Sequence, residues 1–144
     1  MTNSDRLRAW YSEVWEQGNT DAIDQFFAPD TMAEGLISEM QVGADDFRDL
    51  VMAFRHVLGE IKVDLPKIIE NGDWVSRVLH VRTFRADNGA PLEVTGQVMA
   101  RFKGDKMVEA YNQFDFISLF EQLGQFPQDT LPVCMTGQRL DWVG

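Results

Sequence analysis

The stretch that decides the fold is IKVDLPKIIENGDWVSRVLHVRTFRADNGAPLEVTGQVMARFKGDKMVEAYNQFD, residues 61–115. Apolar and polar residues alternate through it with a period of two. Turn signals at Asn71-Gly72-Asp73, Asp87-Asn88-Gly89 and Lys103-Gly104-Asp105 cut it into runs of roughly ten residues each. The pattern predicts a four-stranded antiparallel meander, with strands near Ile61 to Glu70, Trp74 to Arg85, Leu92 to Phe102 and Lys106 to Asp115. Pro66 cannot donate to a ladder, so the first strand is expected at an edge or with a bulge.

Outward from the meander the rhythm changes. Leu7, Trp10, Tyr11, Val14 and Trp15 recur at spacings of three and four, which predicts a helix capped by Asn3 or Ser4 and ended by Gly18. Asn19 or Thr20 then opens a short second helix that buries Ile23, Phe26 and Phe27 and stops at Pro29. An extended piece, Met32 to Ile37, leads to a third helix from about Gly43, with Phe47, Leu50, Val51, Phe54 and Leu58 on one face. After the meander, Phe116 to Leu123 reads as a helix ended by Gly124, and residues 125–144 read as a surface-wrapping or partner-contacting tail.

Three helices followed by a meander give an α+β layer, in which the helices pack on the concave face of a curved antiparallel sheet. Long twisted strands curl, so the expected shape is a cone with an open mouth and a small-molecule pocket. The organisation expected is one domain over residues 1–124, with 125–144 as a tail of the same unit or a dimer contact.

Composition narrows the function. The chain has 144 residues, enough for one core, and a formal net charge of -10, which disfavours nucleic acid and anionic membrane surfaces. The N-terminal MTNSDRLRAW has no apolar leader, and no apolar run approaches the roughly 20 residues of a membrane span, so a cytoplasmic protein is expected. Cys134 is the lone cysteine and has no basic neighbour that would activate it. His56 and His80 are the only histidines, and no second ligand stands at zinc spacing, so a site without metal or cofactor is expected. Carboxylates, arginines, tyrosines and amides remain, in a chain that is 11% aromatic, and this suits proton transfer on a hydrophobic substrate.

The segment Gly104-Asp105-Lys106-Met107-Val108-Glu109-Ala110-Tyr111-Asn112-Gln113-Phe114-Asp115, followed after one helical stretch by Gln122-Leu123-Gly124, is the strongest local signal. With Arg77, Thr83, Thr95-Gly96 and Arg101 upstream, it resembles the SnoaL-like polyketide cyclase and ester cyclase family over about residues 4 to 124. The resemblance implies the cone shared with nuclear transport factor 2 and a cofactor-independent intramolecular aldol ring closure. It also implies that Asp115, near the end of the last strand, is the acid and base. The chain departs from some relatives in carrying Phe84 and Ala110-Tyr111 where they have histidine-containing pairs.

A carboxylate against an apolar wall has its charged form destabilised, which suits proton exchange near neutral pH. Asp115 is therefore the catalytic candidate, the alternative being that it caps the helix from Phe116. Without a bulge, strand parity puts Asp115, Gln113, Tyr111, Glu109 and Met107 on one face, with Tyr111 lining the pocket. A bulge would bring in Asn112 instead, to orient a substrate carbonyl. Arg77 and Arg101 are candidate anchors for an enolate oxygen, or else surface ion pairs. Tyr11 and Trp15, with Trp10, either line the pocket or pack as plain core, and the Tyr11 hydroxyl is a donor suited to an oxyanion. Glu34 is an alternative base or a solvent-facing carboxylate. Two functions fit: an enzyme acting on a small hydrophobic carbonyl compound, or a non-catalytic protein that binds an apolar ligand or serves as a dimerisation scaffold. The uncovered sheet face suggests a homodimer, with Leu131, Val133, Leu140 and Trp142 of the tail contributing.

Overall fold

A computed structural model describes residues 1–36 and 40–140. Ile37, at the end of the expected extended piece, and Trp142 of the tail lie outside the described residues. The elements in order are α1 (Asn3–Trp10), continued by a π-helical turn (Tyr11–Glu16), then a 3-10 turn (Thr20–Ala22), α2 (Ile23–Phe26) and β1 (Phe27–Glu34). There follow α3 (Ala44–Val57), β2 (Lys62–Asn71), β3 (Trp74–Phe84), β4 (Pro91–Lys103), β5 (Lys106–Phe114), α4 (Phe116–Gln122) and α5 (Thr130–Met135).

The meander forms as expected, and a fifth strand joins it. The sheet order is β1-β5-β4-β3-β2, with β1 parallel to β5 and the other pairs antiparallel. The sequence hides β1 because Ile23, Phe26 and Phe27 have helical spacing, yet the helix ends at Phe26 and Phe27 already pairs with Met107. Pro29 is tolerated there because β1 is an edge strand whose register shifts between Phe27 and Met32. Pro66 sits in the other edge strand, β2, across a register shift between Asp64 and Lys67. Cap assignment differs as well: Thr2, not Asn3 or Ser4, caps α1, in a reciprocal capping box with Asp5.

The helices cover one face of the sheet. On it β3 turns Val75, Arg77, Leu79 and Thr83 inward, β4 turns Leu92, Val94, Val98, Ala100 and Phe102, and β5 turns Met107, Ala110 and Asn112. α1 contributes Leu7 and Trp10, and α3 contributes Phe47 and Val51, all within one apolar cluster. Trp10 stacks on Phe27 at 5.0 Å and meets Phe47 edge-on at 5.0 Å, so the aromatic residues near the N-terminus fasten helix to helix and to β1. A second cluster of Leu58, Ile61, Leu92, Val94, Leu119 and Leu123 closes the end near α4.

Candidate functional site: an apolar pocket behind Tyr11

Between the inner face of the sheet and the helices lies a pocket of about 60 Å³. Tyr11 and Trp15 come from the π-helical turn, Phe54 and Leu58 from α3 and its C-cap, and Val63, Val81, Val94 and Phe114 from four strands. Leu36, Ile61, Phe116 and Leu119 complete the wall. Small-molecule pockets usually measure roughly 300–1,000 Å³. A polycyclic guest therefore enters only if the aromatic walls part. Those walls form a chain of rings: Trp15 lies 6.0 Å from Phe54, Phe54 stacks on Phe116 at 5.7 Å, and Phe116 lies 5.6 Å from Phe114 and 6.1 Å from Phe120.

Local sequence sets this geometry. The π-helical turn begins at Tyr11 and carries both Tyr11 and Trp15 to the pocket; such turns are often found at functional sites. Its end is held from α3, where Arg55 Nη1 donates to the carbonyl oxygens of Trp15 at 2.7 Å and Glu16 at 3.2 Å. Glu16 in turn accepts the Val63 backbone N–H at 2.8 Å, tying the turn to β2. Phe114 packs against Gly96 on β4, where an added Cβ would come within 2.4 Å of its ring and 2.8 Å of the Gln113 carbonyl oxygen. A glycine at this position lets the ring lie against the sheet and leave the pocket open.

Among the residues that line the pocket, only Tyr11 and Trp15 carry a side-chain polar atom, a phenol hydroxyl and an indole N–H. Tyr11 is 4% exposed, and its hydroxyl has no hydrogen-bond partner among the described residues. Burial pushes its pKa well above the ordinary phenol value, so the hydroxyl stays protonated and is a donor. Tyr11 also lines a deeper void of about 10 Å³, and Asn112 and Trp10 are among the other residues that line it. Asn112 is 7% exposed and donates from Nδ2 to the Glu34 carbonyl at 3.2 Å.

A bulge decides how β5 divides its side chains. Arg101 pairs with Glu109 but Phe102 pairs with Met107, so Val108 is the extra residue. Met107 therefore faces inward while Glu109, Tyr111 and Gln113 face out, and Asn112 takes the inward position expected of Tyr111 without a bulge. Tyr111 is 39% exposed, stacks near Trp74 at 6.4 Å and donates to Glu109 at 2.7 Å. Arg101 lies on the same outer face, paired with Glu109 at 2.6 Å and set over the Trp74 ring.

Asp115 follows Phe114 and precedes Phe116, both pocket residues, yet its own side chain is exposed. Its Oδ1 accepts the Ser118 backbone N–H at 3.1 Å and caps α4, while its backbone N–H donates to Thr95 at 3.0 Å. With Thr95, Gln97 and Gln113 it borders an open depression of about 440 Å³ on the outer face. Glu34 ends β1 beside a second depression of about 270 Å³, shared with Tyr111 and Met99. Arg77 is buried on the inner face, donating from Nη1 to Ser4 at 2.9 Å and from Nη2 to the Leu65 carbonyl at 2.8 Å, and Nε has no partner. Desolvation lowers its pKa, and its bonds make it a tie between α1 and the β2–β3 pair.

The structure thus brings Tyr11 and Trp15 together at the apolar pocket, sets Asn112 with Tyr11 at the inner void, and leaves Asp115, Arg101, Tyr111 and Glu34 outside the apolar pocket. Sequence reasoning did not single out Val81, Val94, Phe114 or Phe116 as lining residues. Inward parity on β3 and β4 was a usable signal for the first two. Among the described residues no group of His, Cys, Asp or Glu is arranged to hold a metal ion, and no helix is long and apolar enough to cross a membrane.

A family model described as SnoaL-like polyketide cyclase matches residues 5–123. No curated protein matches the chain in sequence. Among solved structures, IdmH of Streptomyces antibioticus, named as a proposed polyketide cyclase, superposes with a TM-score of 0.75 at 19% identity, covering 86% of this chain and 99% of that one. A proposed polyketide cyclase from Acidithiobacillus ferrooxidans gives a TM-score of 0.71 at 19% identity, over 87% and 99% of the two chains. AclR of Streptomyces galilaeus, named as a proposed hydroxylase, gives 0.73 at 17% identity, over 94% and 91%. At these identities the likeness is one of fold.

Proposed function

The chain belongs to the SnoaL-like polyketide cyclase family, and from that premise we propose that it takes a small hydrophobic carbonyl compound into the pocket behind Tyr11. There it promotes proton transfer beside the carbonyl, as a cofactor-independent cyclase or isomerase. The observation that carries this reading is Tyr11, a residue that lines the apolar enclosure and whose buried hydroxyl stays a protonated donor. A donor fixed in a water-poor site stabilises negative charge on oxygen far more than water-exposed donors do. With the carbonyl oxygen held by Tyr11, the adjacent C–H becomes more acidic and a base can remove its proton. Asp115 is the base in this proposal. It stands between two pocket residues, and the proposal requires it to release the Ser118 N–H that it now accepts and to turn inward.

One observation favours a second reading. Apart from Tyr11 and the indole N–H of Trp15, every lining side chain among the described residues is apolar, and a wall of this kind suits a protein that binds an apolar ligand without turning it over. Hydrogen–deuterium exchange at the carbon beside the carbonyl of 1-tetralone in D₂O separates the two. The enzyme reading expects the protein to accelerate exchange, Tyr11→Phe to lose about 10²-fold or more of that acceleration, and Asp115→Asn to abolish it in a folded protein. Binding of 1-tetralone by calorimetry with no acceleration would favour the carrier.

We also propose that two copies pair through the outer sheet face. Its centre, Val78, Gln97, Met99 and Gln113, is uncharged, and ion pairs stand at both ends, Arg101 with Glu109 at one and His80 and Arg82 with Glu93 at the other. An uncharged core inside a charged rim suits association between copies that each carry -10. Light scattering is expected to give twice the chain mass, and Met99→Glu to give the monomer; a wild-type monomer at high concentration would refute the pairing.

A further inference from the structure

Asn112 is tied in a way that commits half of its amide. Its Nδ2 donates to the Glu34 carbonyl, which fixes the amide orientation, and Oδ1 is left as an acceptor with no partner among the described residues. Tyr11 supplies the opposite: a hydroxyl donor with no partner, kept protonated by burial. Both residues are more than nine-tenths buried, and both line the inner void of about 10 Å³, whose other walls are apolar apart from the indole N–H of Trp10. About 10–15 Å³ of such space accommodates one oxygen-sized group. A donor residue and an acceptor residue that line one small void both gain from a ligand group able to bond the two at once.

We infer that this void is a recognition site for a single hydroxyl group, phenolic or enolic, at the end of a planar apolar ligand whose body fills the outer pocket. Such a hydroxyl accepts from Tyr11 and donates to Asn112 Oδ1 at the same time. A bare ketone or an ether satisfies Tyr11 alone and leaves the Asn112 acceptor desolvated. The inference rests on the pocket assignment proposed above and deepens it by naming the ligand's polar end. For a carbonyl compound it means that the site favours the enol over the keto form, because only the enol carries a proton for Asn112. Sites built to bond a hydroxyl discriminate strongly against analogues that lack the proton.

The test compares 2-naphthol with 2-methoxynaphthalene by isothermal titration calorimetry. The ether is the more apolar of the two, so partition alone favours it. The wild-type protein is expected to bind 2-naphthol at least about tenfold more tightly. Asn112→Leu, which keeps the volume, is expected to reduce that preference to about twofold or less, while Tyr11→Phe weakens both ligands alike. Equal affinities in the wild type would overturn the inference and leave the pocket assignment standing, because both ligands would still bind. A preference that survives in folded Asn112→Leu would also overturn it, since the methyl group would then be excluded by shape. If neither naphthalene compound binds at millimolar concentration, the pocket assignment itself falls, and the inference with it.

Discussion

The inner and outer faces of this sheet are built from the same strands and differ only in which alternate residues they display. The inner face carries Leu79, Val98 and Ala100, nearly inaccessible, and holds Arg77 and Asn112 through bonds to backbone carbonyls. The outer face carries Gln97, Gln113, Met99 and Tyr111, with Arg101 and Glu109 paired across β4 and β5. Removal from water is favourable for the first set and unnecessary for the second. The difference teaches where chemistry can be concentrated: a hydroxyl buried against the inner face, as that of Tyr11 is, interacts strongly with whatever is beside it, while a carboxylate on the outer face competes with water and neighbouring charges.

Neighbouring residues on β3 give the sharpest test of that contrast. Leu79, fully buried against the core, is expected to cost about 2–5 kcal/mol when cut to Ala. Val78, one position away on the outer face, should cost under about 1 kcal/mol. Urea unfolding of the two variants measures both. Comparable losses would mean that the outer face is as firmly packed in solution as the inner one, the result expected of a tight dimer.

Gly96→Ala comes next in size. The added Cβ would drive into the Phe114 ring and the Gln113 carbonyl oxygen, so ring and strand must shift, at a stability cost of about 1–3 kcal/mol. Because Phe114 lines the pocket, affinity for 2-naphthol should fall along with stability. A variant that is destabilised yet binds unchanged would separate Phe114 from the ligand site.

Most of the fold was legible because period-two alternation and glycine turns survive as local signals from Ile61 to Asp115. β1 was not, since Phe27 continues a helical spacing and the strand gains its identity only by pairing with β5, about eighty positions later. The site was legible in part. Tyr11 and Trp15 were found through helical spacing, although the π-helical turn that aims them leaves no recognisable trace in sequence. Asn112 and Tyr111 exchanged faces because one bulge at Val108 inverts parity, and a sequence does not announce a bulge that lacks glycine or proline. For Asp115 the ambiguity between base and cap was inherent, since the same strand-end position serves both. The geometry supplies the cap, and the proton-transfer role depends on its release.

That cap sets the third expectation. Asp115→Ala removes the acceptor for the Ser118 N–H and should cost about 1 kcal/mol, with α4 fraying first in hydrogen exchange. Asp115→Asn keeps a capping oxygen and should change stability by only a few tenths of a kcal/mol. If Asn destabilised as much as Ala, the carboxylate charge would matter beyond the cap, and a loss of exchange activity in that variant would no longer report on proton transfer alone.

The smallest effect expected is at the Arg101–Glu109–Tyr111 cluster on the outer face. Hydrogen bonds from Tyr111 and then Arg101 hold the Glu109 carboxyl below the ordinary carboxylate range. A group whose folded pKa is depressed contributes stability that is fully present above its unfolded pKa and is lost as pH falls through the folded value. Glu109→Gln should therefore lower stability slightly at neutral pH, with the difference from wild type shrinking as acid protonates the wild-type carboxyl. Because the pair is solvent-exposed, added salt should shrink it as well. A difference that persisted at low pH and in high salt would mean that Glu109 acts through packing under Tyr111 and Trp74, and the outer face would then be organised by its aromatic residues and not by charge.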